Sequence, residues 1–102
     1  MSQSQFAVAI VEEDLHLSLD ELCRVCRASE AQVRVWVVEG VLEPVGISPQ
    51  EWRFGGTSMR RARLALTLAQ DLEVNPPGVA LALDLLDEIA ALRGVQRRTG
   101  SA

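Results

Sequence analysis

The spacing of apolar residues changes several times along this chain, and each change marks an element. Residues 6–11, Phe6-Ala-Val-Ala-Ile-Val11, form an unbroken apolar run closed by Glu12, Glu13 and Asp14. A run of that length bounded by charge predicts a strand, because a helix declares itself over a longer window. From Leu19 the spacing is helical. Leu19, Leu22, Cys23 and Cys26 fall on one stripe, and Asp20, Glu21, Arg24 and Arg27 fill the other face. Ser18, with Glu21 three positions on, starts this helix as a capping box, in which the two residues exchange side-chain and backbone hydrogen bonds. Ser29 with Gln32 repeats the signal for a second helix carrying Val33, Trp36 and Val37. Gly40 closes it by accepting the left-handed conformation that a β-carbon disfavours. Two helices about two residues apart predict a helix-turn-helix unit.

Beyond Gly40 the runs shorten. Val41–Val45 and Trp52–Phe54 read as two extended segments around the Gly/Pro turn 46–51, a β-hairpin in the position of a wing. The 6–11 strand is placed to join it. Gly55-Gly56 breaks the chain, and Thr57 is the predicted N-cap of a third helix from Ser58 to Glu73, with Leu64, Leu68 and Leu72 as its core stripe, widened by Ala62, Leu66 and Ala69. Asn75 caps a fourth helix, Pro77 to Arg93, with Pro76 in the first helical position. That helix is apolar on almost every side, interrupted only by Asp84, Asp87 and Glu88 at spacings of three and four. A helix so apolar must be covered on most sides, more than a domain of this size can cover, and the remainder predicts a homodimer through the C-terminal helix. The fold class expected is mainly α, a winged helix-turn-helix with a small β-wing and two further C-terminal helices. One domain spans 1–102: residues 1–17 an N-terminal strand and acidic turn, 18–40 the helix-turn-helix, 41–54 the wing, 57–93 a C-terminal helical pair and 94–102 a flexible tail.

Composition narrows the chemistry. The net charge is -4, and all ten basic residues are Arg. A negative surface is repelled by phosphate backbones, which disfavours nucleic acid and favours a partner that is locally basic. No window approaches the roughly 18 uninterrupted apolar residues of a membrane span, and the first residues lack a signal peptide's basic start and cleavage site, so the cytoplasm is the expected compartment. Cys23-Arg-Val-Cys26 has the C-x-x-C spacing, but both cysteines lie inside a helix behind acidic Asp20 and Glu21, which raise a thiol pKa, and His16 is the single histidine. Core packing is the expected role of the pair, with no metal and no cofactor. No nucleophile–base pair and no phosphate-cradling loop is present, so the chain is not expected to be an enzyme. Trp36 is expected to pack the second helix against the wing, and Trp52 is a candidate for either core or partner contact.

From Ser18 onward the order helix, helix, wing, helix, helix resembles the DNA-binding domain of the MerR class, and Val35-Trp-Val-Val-Glu-Gly-Val-Leu-Glu-Pro44 looks like that class's segment before the wing. Trp52-Arg-Phe54, an Arg- and Leu-rich helix, and then Pro77-Gly-Val-Ala-Leu-Ala-Leu with Leu86-Asp-Glu-Ile-Ala-Ala-Leu92 narrow the match: residues 7–93 resemble the CbpM family of chaperone modulators. The resemblance implies a dimeric protein that binds the J-domain of a DnaJ-like, CbpA-type co-chaperone, inhibits its work with the DnaK-type chaperone and affects that partner's DNA binding. It also implies nucleoid association through that partner. The family's acidic motif falls on Asp87 and Glu88, and helical spacing adds Asp84, so these three are the expected partner-binding residues. A carboxylate stripe suits the basic helix by which J-domains dock. The alternative is a MerR-like DNA-binding transcriptional regulator, in which Arg34, Arg53, Arg60 and Arg61 would touch DNA.

Overall fold

A computed structural model describes the backbone of residues 15–100 and the side chains of residues 15–94. The strand expected at 6–11 and the acidic turn at 12–14 lie outside the described residues. Four helices follow in order: α1 (Leu19–Cys26), α2 (Glu30–Val38), α3 (Gly56–Asp71) and α4 (Pro76–Gly100).

The helix-turn-helix forms where local chemistry directs it. The Ser18 hydroxyl accepts from the Glu21 amide at 3.2 Å, and Glu21 Oε1 accepts from the Ser18 amide at 2.9 Å, completing the capping box of α1. In α2 only half of that motif is present: the Ser29 hydroxyl accepts from the Gln32 amide at 3.0 Å, and no return bond is made. Past the end of α2, Gly40 has φ +81. Its amide donates to the Val37 carbonyl and the Val41 amide to the Trp36 carbonyl, the paired bonds that close a helix through a left-handed residue.

The wing is minimal. Val45 and Arg53 pair in an isolated antiparallel bridge, and Leu17 pairs with Phe54 in a second. Among the described residues, the third segment of the wing is therefore Leu17. Gly46 allows the turn: its φ is +120, and a β-carbon there would come within 2.7 Å of the Glu51 carbonyl oxygen. Trp52 stands edge-on to Phe54, ring centroids 5.9 Å apart, and Phe54 is fully buried. Trp36 is also buried, in a core shared by Leu22, Val33, Leu42, Val79 and Leu83.

Three expectations for the C-terminal helices are corrected. Helix α3 begins at Gly56 rather than Ser58, and its N-cap is Gly55, so Thr57 lies inside the helix and caps nothing. Its core face is made of Ser58, Ala62 and Ala65, whereas Leu64 and Leu72 are exposed and Leu68 is only partly buried. Small side chains let α3 lie close against α1 and α4, and that approach selects the face regardless of leucine spacing. Helix α4 continues through Gly100, beyond the expected end at Arg93 and through most of the expected tail. Asn75 starts it as expected, its side-chain oxygen accepting from the Gly78 amide at 2.8 Å. Pro76 and Pro77 then occupy positions where a missing N–H costs nothing. No helix among the described residues is long and apolar enough to cross a membrane.

Candidate partner-binding face

Helix α4 buries Val79 and Leu83 against the core and turns its other sides outward. Leu81 and Leu92 are 62% and 60% exposed, and Leu85, Leu86 and Ile89 lie open between them. Leu81, Leu85, Ile89 and Leu92 recur at spacings of four, four and three and so form one stripe along the helix.

Asp84 and Asp87 turn toward α3, and Glu88 borders the apolar stripe, three residues from Leu85 and four from Leu92. Asp84 and Asp87 have side chains 70% and 69% exposed, and Glu88 beside them is exposed and makes no ion pair among the described residues. The two aspartates are brought together by Arg61, a residue assigned to DNA contact in the alternative reading. Its guanidinium reaches across from α3, donating to Asp84 Oδ1 at 3.2 Å, to Asp87 Oδ2, and through Nε to the Val41 carbonyl at 2.6 Å. The Arg61 side chain is only 14% exposed. A planar fork with five N–H donors can serve three acceptors at once, and an ammonium on a flexible stem is a poor substitute. Glu43, on the turn after α2, lines the same cleft of about 300 Å³. Three carboxylates and one guanidinium thus line the cleft, which keeps a negative balance.

The remaining residues of the DNA-contact set are not gathered on one surface. Arg34 is held on α2 by Glu30, at 2.9 Å from its terminal nitrogen. Arg53, in the wing, donates to the Trp52 carbonyl at 2.7 Å. Arg60, on the first turns of α3, donates to the Thr57 hydroxyl at 3.4 Å. Arg53 and Arg60 line one cavity, whereas Arg34 lines another and Arg61 faces α4. The role of Arg61 could not be read from spacing, because the contacts that define it join residues 20 to 26 apart in sequence.

The cysteines behave as packing groups. Burial pushes the Cys23 thiol up, and Glu30 and Asp20 push it further. Burial also pushes the Cys26 thiol up, opposed by Arg63. A thiol raised in this way stays protonated near neutral pH and is a poor nucleophile and metal ligand.

Comparison with known proteins agrees with this architecture. Residues 17–98 match the family of MerR HTH family regulatory proteins. The chain is 39% identical over 83 residues to the chaperone modulatory protein CbpM of Coxiella burnetii (strain Dugway 5J108-111), covering 81% of this chain and 78% of that protein. It is 39% identical over 79 residues to the CbpM of Pseudomonas putida (strain W619), covering 78% of each chain. The CbpM of Pseudomonas entomophila (strain L48) is also 39% identical, over 84 residues.

Proposed function

Because this chain belongs to the CbpM family within the MerR helix-turn-helix regulatory class, we propose that it is a chaperone modulator that binds the J-domain of a DnaJ-like, CbpA-type co-chaperone. In this reading it is a regulatory protein of the cytoplasm without catalytic activity. By covering the J-domain's basic helix it denies that helix to the main chaperone, and it interferes with the co-chaperone's own DNA binding. The observation that carries the reading is the exposed carboxylate row of α4, Asp84, Asp87 and Glu88, beside the open side chains of Leu81, Leu85, Leu86 and Ile89. Carboxylates left open to water attract a positively charged protein surface and orient it during approach, at little cost in desolvation.

The open leucine and isoleucine stripe of α4 supports a second copy of the chain as its cover. Apolar patches of this kind are uncommon on monomers, and a two-fold pairing of like helices would bury the same stripe on both copies.

The partner face is tested at Glu88, which makes no ion pair among the described residues. Calorimetry of a CbpA-type J-domain against Glu88→Lys should give affinity lower by about tenfold, with helicity unchanged by circular dichroism. Unaltered affinity in Glu88→Lys and in an Asp84→Asn, Asp87→Asn variant of intact fold would remove this face from the proposal. Absence of any J-domain binding by the parent, together with tight duplex DNA binding that weakens steeply with salt, would replace it with the DNA-binding reading.

A further inference from the structure

Helix α2 closes the core with Val33 and Trp36, yet its outward side is not the polar surface of a solvated helix. Val35 is exposed, and Val38, three residues on and so on the same face, is 83% exposed. That face borders a groove of about 240 Å³ between α2, the end of α3 and the start of α4, with Val35, Trp36, Ala69, Val74 and Val79 in its walls. Gln32 is the single polar residue lining it. Leu72, one turn past Ala69, is 66% exposed. The turn beside the groove is fixed. The Val74 amide donates to the Leu68 carbonyl at 3.0 Å, and a β-carbon at Gly78 would come within 2.7 Å of Val74 Cγ1, so glycine lets α4 close on the turn.

The charge around this groove has one sign. Across the segments that build it, residues 30–39 and 69–79, the charged residues are Glu30, Arg34, Glu39, Asp71 and Glu73, and Arg34 is held by Glu30. Glu39, Asp71 and Glu73 are exposed and make no ion pair among the described residues. Glu39 follows Val35 by four residues, and Glu73 adjoins Val74, so both stand beside the apolar lining.

We propose that this groove docks a basic amphipathic helix of another protein, at a site separate from Asp84, Asp87 and Glu88. Apolar anchors spaced three and four residues apart enter between α2 and the turn, and flanking lysines or arginines meet Glu39, Asp71 and Glu73. The volume lies below the range of small-molecule sites, about 300–1,000 Å³, and suits side-chain anchors better than a free ligand. Charge disfavours this chain as its own occupant. A second copy carries a net charge of -4, and the apolar run 6–11 is followed by Glu12, Glu13 and Asp14, which would meet like charge at the rim. Duplex DNA is repelled for the same reason. The two sites lie apart: Ala69 is eight residues along α3 from Arg61, about 12 Å at the helical rise, and their clefts share no lining residue.

The test is a titration of the full chain, labelled with ¹⁵N, with a synthetic helical peptide carrying leucines at i, i+3, i+4 and i+7 and lysines between them. The expected result is saturable movement of the Val35, Val38, Leu72 and Val74 amide resonances, with affinity that falls as salt rises. Val38→Ser removes exposed apolar surface and should weaken binding about fivefold. Glu73→Gly keeps the turn, since glycine takes φ +54 without strain, and should weaken binding about threefold. The rest of the spectrum reports an intact fold in either variant. J-domain affinity should be the same in Val38→Ser as in the parent, and a loss there would overturn the separation of the two sites. The groove is refuted if the peptide moves only the resonances of Leu81 to Leu92, or if a peptide with glutamate in place of each lysine binds as tightly. It is also refuted if both folded variants bind as the parent does, or if these amides move only with chain concentration or with duplex DNA.

Discussion

A hydroxyl and a carboxylate three positions apart decide where the first helix begins. The Glu21 carboxylate is held below the ordinary range, first by the backbone N–H of Ser18 and then by the Ser18 side chain. A carboxylate whose pKa is lower folded than unfolded stabilises the fold above its ordinary value, 4.5. That contribution is lost as pH falls through the lower, folded value. In urea unfolding at neutral pH, Ser18→Ala should therefore lose about 1 kcal/mol. Glu21→Gln should also be less stable than the parent there, and the gap should close at pH values below the folded pKa. An equal gap at both pH values would remove Glu21 from the acid sensitivity of the fold. Ser18, Glu21 and Gly40 were legible in the sequence because their bonds join near neighbours. Arg27, at φ +57 after α1, was not, since nothing about an arginine marks a left-handed position.

At the scale of elements, α3 shows where reading by hydrophobicity fails. The row of leucines widened by Ala62, Leu66 and Ala69 predicted the core face; Ala62 is fully buried as expected, but Leu64 and Leu72 face water and the unpredicted Ala65 is fully buried. The number of apolar carbons does not choose the face. The distance at which neighbouring helices approach chooses it, and only small residues fit a close approach. Arg61 lies on the same helix and joins it to the turn after α2 and to α4. Arg61→Met should leave the Val41 carbonyl without its donor and free both aspartates, lowering stability by about 2 kcal/mol. Chemical denaturation measures this, and a variant as stable as the parent would make the ion pairs incidental. Of the acidic face, Asp84, Asp87 and Glu88 were legible as a stripe, whereas Glu43 and the internal engagement of both aspartates were not, because both depend on how distant segments pack.

At the scale of the whole molecule, α4 governs how copies would meet. Its apolar surplus was legible in the sequence, since no pattern of polar residues shields Leu81, Leu85, Ile89 or Leu92. Its length was not: the Gly, Arg and Thr residues past Arg93 read as a tail, yet the helix continues to Gly100. Sedimentation of the parent should give the mass of two chains at micromolar concentration, and Leu85→Glu should shift it to one, because a carboxylate cannot be buried unpaired in an apolar seam. A parent that sediments as a single chain would rule out this mode of assembly. The three-way grip of Arg61 has a consequence for inheritance as well. Positions 61, 84 and 87 are not free to vary one at a time, because lysine at 61 cannot span the same acceptors and neutral residues at 84 and 87 would strand a guanidinium. Lineages that lose the arginine should therefore have lost or replaced both aspartates too, so that the covariation of these sites records whether the contact has been kept.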